Sequence, residues 1–424
     1  MTRSQYSSSS SGSVASSARA PSYEFIDSQD RFNHCLSLCL GSEFVSIDTE
    51  FVRTNTFYSN PGLFQVAVAD SIFLIDPLAI QDLSLLADLL SSTKTKKIMH
   101  AMGEDIDLFK HSLKILPNHV FDTQIAAALI GIGPSIGYAN LVNHVLSLEL
   151  DKGETRSNWL QRPLTDKQKH YAANDVFYLA KIYPQLLKQL ERLEREGIVE
   201  EECQRLIGLI DQAGNTDLYY LKIRGAWRLT RHKQFILKSL CSWRERTAMD
   251  LNKPRARILP DAVLQTIVEK MPSDLRQLYI AAHQNPQTVR QFGEEILEII
   301  HGCAGISDDC IEAKRDGDGK GVKTSQDKDR ENMQLIMAPL TSQQQGLHKK
   351  LKSVVRTVAQ QSGFLPEMLG NGRVLEEMVS RSWSVADVYV PSFYQGWRWP
   401  RVGQRLQTVV RQYLDENQSG ISGK

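Results

Sequence analysis

No apolar run in the 424 residues approaches the roughly 20 needed to cross a bilayer, so the sequence excludes a helical membrane span. The six cysteines (Cys35, Cys39, Cys203, Cys241, Cys303 and Cys310) contain no CxxC pair, and no secretory signal is legible. That argues against a zinc module or a disulfide scaffold and predicts reduced thiols in a cytoplasmic protein. Cys35 and Cys39 stand four apart on an apolar helical pattern and read as core thiols rather than ligands. The first 22 residues lack any acid and any apolar face. Dominated by serine, they cannot bury a core and predict a disordered tail rather than an amphipathic leader.

What is present is size and an uneven charge. A chain of 424 residues exceeds one hydrophobic core, so two or three domains are expected. The net charge of +1 conceals an acidic front half with 19 Lys+Arg against 27 Asp+Glu over residues 1–217. Residues 218–304 carry 14 against 8, and residues 335–424 carry 11 against 6. An acidic module that collects cations, followed by basic modules that hold a polyanion, fits these counts.

Patterning divides the chain accordingly. Strand and helix signals alternate from 23 to 215, with β-prone runs at Phe44–Asp48, Leu63–Ala69, Ile72–Asp76 and Lys97–His100, and a helix over Leu83–Leu90. Thr165 with Gln168 forms a capping box that opens a helix expected to end near Tyr183. Helical, Arg-rich segments fill 218–304, and a polar, charged linker is expected over 305–333. Its Asp316, Asp318 and Gly321 approach a calcium-loop spacing, but Lys320 takes a ligand position and no closing Glu follows. Helical patterning resumes near Leu335 in a second module over 334–424. The fold class expected is an α/β domain with a mixed sheet, followed by two all-α bundles.

Three short segments bear carboxylates. Asp48 and Glu50 lie two apart on a strand and so share a face; alone, a polar strand edge is the simpler reading. Asp105 sits where a helix begins after the β-prone run ending at His100, which reads as a packed polar residue. Tyr171 and Asp175, four apart on the capped helix, put a phenol and a carboxylate on one side. Together they fit two-metal phosphoryl transfer, in which ions about 3.5–4 Å apart clamp the attacking and leaving oxygens. In that scheme Asp48 bridges two Mg2+ or Mn2+ ions, Glu50 and Asp175 hold the ion bearing the water, Asp105 supports the other, and Tyr171 orients or deprotonates the water.

At these residues the chain resembles the DEDD exonucleases of ribonuclease-H-like fold, and among them the ribonuclease D family. The matching segments are Ile47–Arg53, Thr56–Tyr58, Gly62–Gln65, Met99–Ala101 with Glu104–Asp105, Phe121–Gln124, and Arg162–Thr165 leading to Tyr171–Val176. Cys241–Arg246 resembles the helical domain that helicases share with this family, and Gly363–Pro366 with Gly396–Arg398 resembles a degenerate second copy. The resemblance implies 3′→5′ hydrolysis of RNA to nucleoside 5′-monophosphates, with maturation of transfer-RNA 3′ ends as its setting. It also implies a monomer.

Two departures matter: the serine-rich tail and the 305–333 linker are longer than the family requires, which predicts a looser arrangement of the two basic modules, and the helix of Asp175 carries a rival to Tyr171. His170 stands five before Asp175, where a sister branch places a catalytic histidine. Five residues rotate about 140° around a helix and four only about 40°, so Tyr171 is favoured. In the first basic module Arg224, Arg228, Arg244, Arg246, Arg255 and Arg257 are the candidate RNA contacts, while Trp227 and Trp243 read as core. Trp383, Trp397 and Trp399 stay open between core and stacking. Two rivals remain: a DNA exonuclease, since no residue declares recognition of a 2′-hydroxyl, and a non-catalytic RNA-binding scaffold, which has no need of a costly carboxylate cluster.

Overall fold

The computed structural model describes residues 21–150, 153–154, 156–212, 214, 216–304, 333–384 and 387–419. The serine-rich tail up to residue 20, and the expected linker except Met333, lie outside the described residues.

Six strands form one mixed sheet: β1 (Glu24–Ile26), β2 (Phe44–Val52), β3 (Asn60–Val68), β4 (Ser71–Ile75), β5 (Lys96–Met99) and β6 (Val120–Asp122). Their order is β1-β4-β3-β2-β5-β6; β2, β3 and β4 form an antiparallel meander, and the other pairings are parallel. The three-residue strands β1 and β6 were not expected, because so short a run shows no period. On β3 the alternation decides the layers. Leu63 and Ala67 pack against Ala172, Ala173 and Val176 of helix α6 (Asp166–Arg192) on one face. Phe64 and Val66 join the core made with α1 (Gln29–Leu40), α2 (Ser84–Ser91) and α3 (Gly103–Ser112) on the other.

Helix α6 opens on the expected capping box, with Thr165 and Gln168 each bonding the other's backbone N–H. It does not stop near Tyr183 but runs through Pro184 to Arg192. The proline forfeits one backbone donor, while Ile182, Leu186 and Leu190 stay buried on both sides of it and hold the helix together. Helices α4 (Thr123–Leu129) and α5 (Tyr138–Leu146) pack against α6, and α7 (Glu196–Gln212) packs against α3 and β6.

The two helical modules attach differently. The first, built on α8 (Arg231–Asp250), α9 (Arg255–Ile258), α10 (Asp261–Lys270), α11 (Leu275–Ala281) and α12 (Pro286–Ala304), has a core separate from the sheet's; that core also takes in Phe57 of the loop after β2. Met333 is buried in that core, and the Ile336 N–H donates to Gln234 Oε1. The chain after the linker therefore runs non-helical along the first module, and the helix expected near Leu335 begins only at Ser342. The second module, on helices Ser342–Ser362, Gly372–Ser382 and Gln404–Ser419, shares one continuous core with the sheet domain. Glu202 of α7 is its anchor: Arg398 Nη2 donates to Glu202 Oε2 at 2.8 Å and Trp397 Nε1 to Glu202 Oε1 at 2.8 Å. Trp397 is thus a core residue, stacked on Phe364. Trp383 and Trp399 are partly buried.

Candidate active site

Asp48 pairs in register with Gln65 and Glu50 with Leu63, which turns both carboxylates toward α6. Asp175, on the buried face of that helix, meets them there. Each of the three offers an oxygen, and these oxygens all lie within 4.8 Å of one another. Asp105 is not part of that trio. It is buried in the first turn of α3, on the opposite side of β2, and accepts a hydrogen bond from Thr49 Oγ1. The four candidate carboxylates therefore divide three and one, although their charges still interact.

The electrostatics show that interaction. Burial, then Asp48, Asp175 and Asp105, push the Glu50 carboxyl up to about 10. Burial raises Asp48 to about 6 against the opposing Thr49 backbone. Asp105 and Asp175 are both held well above the ordinary range, first by burial and then by Asp48. Four acids confined this way destabilise one another unless a cation joins them. The donor set is made of hard carboxylate oxygens, which suits an oxygen-seeking divalent ion.

Tyr171 and His170 both line a cavity of about 200 Å3 beside Asp175. Tyr171 is partly buried, its ring 6.2 Å from that of Trp159. His170 is exposed, with Nδ1 2.6 Å from the Asp166 carbonyl oxygen and its ring edge-on to Tyr23. Helix rotation thus separates their burial but not their access to the cavity.

Several residues escaped the sequence reading. Tyr138 donates its hydroxyl to the Asn174 carbonyl at 3.1 Å and to that of Asp175. Burial, then Asp175 and Asp48, hold its phenol well above its ordinary range, so it stays protonated there. Gln65, opposite Asp48, is fully buried with neither amide atom hydrogen-bonded to another described residue. Arg162 fastens the segment before α6 to the sheet, reaching both Asp76 oxygens at 2.6 Å, the Gly62 carbonyl at 2.7 Å and the Trp159 carbonyl at 2.9 Å. Gly62 is required by that approach: a Cβ there would stand 2.6 Å from Trp159 Cβ.

The candidate RNA contacts do not behave alike. Arg224, Arg228, Arg246 and Arg257 are exposed, and Arg257 donates to Asn55. Arg255 is partly buried and paired with Glu245 at 2.9 Å. Arg244 must be withdrawn. It is fully buried, with its guanidinium committed to Glu245, Asp261 and the Leu259 carbonyl, so it holds the module together and has no surface to offer. Trp243 is buried as expected, whereas Trp227 is partly buried beneath Arg228.

Comparison with known proteins places these parts in a family. Residues 23–191 match the model of a 3′-5′ exonuclease, 234–300 that of the HRDC domain, and 344–406 that of the ribonuclease D C-terminal HRDC domain. Ribonuclease D of Pseudomonas paraeruginosa is 32% identical over 367 residues, covering 87% of this chain and 92% of its own length. Ribonuclease D of a Shewanella species is 31% identical over 381 residues, covering 89% and 91%. The crystal structure of Escherichia coli RNase D, described as an exoribonuclease involved in structured RNA processing, matches with a TM-score of 0.80 at 26% identity, covering 92% of this chain and 99% of that one.

Proposed function

The chain belongs to the ribonuclease D family and is a 3′→5′ exoribonuclease; from that premise we propose that it trims the 3′ ends of structured RNA, transfer-RNA precursors among them, by two-metal-ion hydrolysis. The observation that carries this reading is the convergence of Asp48, Glu50 and Asp175, each with its carboxyl held above the ordinary range. Asp48, Glu50, Asp175 and Asp105 are the residues that would hold Mg2+ or Mn2+. When bound, such ions neutralise the charge developing on the scissile phosphate and lower the pKa of the attacking water.

The protein's own groups supply the rest. Thr49 fixes the Asp105 carboxylate by its hydroxyl, and Tyr138 fixes the helical turn that presents Asp175. Tyr171, in the cavity beside Asp175, orients the attacking water and holds its proton. The exposed arginines of the first helical module, Arg224, Arg228, Arg246 and Arg257, hold phosphates of the RNA body. The enzyme acts as a monomer in the cytoplasm, and among the described residues no helix is long and apolar enough to cross a membrane.

The decisive experiment follows the products from a 3′-extended transfer-RNA precursor. Nucleoside 5′-monophosphates released one at a time, stopped by a chelator and restored by Mg2+ or Mn2+, are expected. Release that persists under chelation, or equal digestion of a matched DNA end, rejects the reading.

A further inference from the structure

A second cavity, of about 500 Å3, lies between the sheet domain and the first helical module, on the α3 side of the site. Its walls come from the loop after β2 (Arg53, Phe57, Tyr58), from α3 (Glu104, His111) and from the first module (Tyr219, Lys222). Glu104 precedes Asp105 on α3 and Arg53 follows β2, which bears Asp48 and Glu50, so two elements that carry the carboxylates also wall this cavity.

Its lining combines the two things a nucleotide needs. Tyr58 lies over His111 with ring centres 4.4 Å apart and planes 36° from parallel, an aromatic platform at the cavity wall. Arg53 and Lys222 are exposed there and supply positive charge for phosphate. Glu104, Asp107 and Glu245 also line it, which disfavours a site for phosphate alone. The platform is held in place from the helical side: Asn252 Oδ1, at the end of α8, accepts from the backbone N–H of Phe57 at 3.0 Å and of Tyr58 at 3.1 Å.

We infer that this cavity is a subsite for unpaired RNA upstream of the scissile bond, in which a base stacks on Tyr58 and the backbone runs past Arg53 and Lys222 toward the basic module. The direction rests on the exoribonuclease reading: the terminal nucleoside is a single unit, while the strand body must continue onto the surface that carries the exposed arginines. A base on an aromatic platform is tolerant of sequence, as an enzyme that consumes every terminal nucleotide requires.

The test measures binding rather than turnover, so it stands apart from the catalytic reading. Fluorescence anisotropy of an unpaired RNA of about ten nucleotides is recorded with the full chain carrying Asp48→Asn, alone and combined with Tyr58→Ala, Tyr58→Phe or Lys222→Ala. Tyr58→Ala is expected to weaken binding about tenfold, the scale of one lost base stack, with Tyr58→Phe close to the parent. Lys222→Ala, an exposed change that leaves the fold alone, is expected to make the salt dependence shallower by about 0.7 in the log–log slope. Unchanged affinity in Tyr58→Ala at an unchanged thermal midpoint, or an unchanged salt slope in Lys222→Ala, overturns the subsite. Hydrolysis of a chromogenic mononucleotide ester by the wild-type chain reports separately on the carboxylates: its failure would condemn the catalytic reading and leave the binding result to decide this one.

Discussion

Two of the places where the sheet domain and its neighbouring helix bury carboxylates differ in kind. Glu202 is 3% exposed and meets Arg398 (2% exposed), Arg205 and the Trp397 indole N–H. Burial alone would raise its pKa, but those partners outweigh burial and hold the carboxyl below its ordinary value. At Glu50 the balance is reversed: after burial, the next three influences on it are all acids, and it is pushed up to about 10. One cluster is electrostatically complete within the chain, whereas the other is completed only by something added. A completed cluster joins two parts of the fold; an incomplete one keeps charge in reserve for a ligand.

Substitutions at the two places should therefore have opposite signatures. Asp48→Asn is expected to cut monophosphate release by about a thousandfold or more, the loss of several kcal/mol of transition-state stabilisation, while the chelated protein melts no lower than wild type. A lowered melting midpoint would show that Asp48 supports the fold and would erase the contrast. Glu202→Ala leaves Arg398 buried and unpaired, so it is expected to lose about 3–5 kcal/mol in denaturant unfolding. A loss below about 1 kcal/mol would mean that apolar packing alone seats the second module. Between these extremes stands Tyr171→Phe, expected to slow turnover about a hundredfold with KM little changed, as for loss of a proton-handling group. His170→Ala should stay within a few-fold, and the reverse ranking would assign the proton to the histidine.

Local geometry made half of this legible in the sequence. Asp48 and Glu50 at a period of two, Tyr171 and Asp175 at a spacing of four, and the Thr165–Gln168 cap are all consequences of backbone repeat. That Asp105 reaches the site from the other side of β2, through Thr49, depends on which layer α3 joins, and no spacing encodes that. Arg244 belongs to a basic run that reads as surface; only Asp261, 17 residues on, and the fold around it make it core. The Glu202 cluster was invisible for the same reason at greater range, since its partner Arg398 lies 196 residues away. Tyr138 went unread because the segment ahead of its helix has no strong pattern, although a buried phenol beside two acids is among the clearer marks of the site once folded.

The pH dependence of stability isolates the contrast from packing. In the unfolded chain Glu50 loses its proton near 4.5, whereas in the metal-free fold it keeps it up to about 10. Between those values the folded state binds more protons, so the free energy of unfolding falls as pH rises, by at most about 1.4 kcal/mol per unit for one full proton. Asp48 adds to the same slope between 3.8 and about 6. Glu202 has the opposite sign: its lowered pKa contributes stability that is complete above its ordinary 4.5 and is lost only as pH falls below it. Between pH 6 and 9 Glu202 is therefore constant and the carboxylate trio is not. The chelated enzyme should lose thermal midpoint across that window, Glu50→Gln should flatten the curve, and excess Mg2+ should flatten it too by supplying the missing charge. A chelated midpoint that holds level from pH 6 to 9 in the wild type would mean that the trio's charges are already balanced within the fold, and the two buried clusters would then be alike.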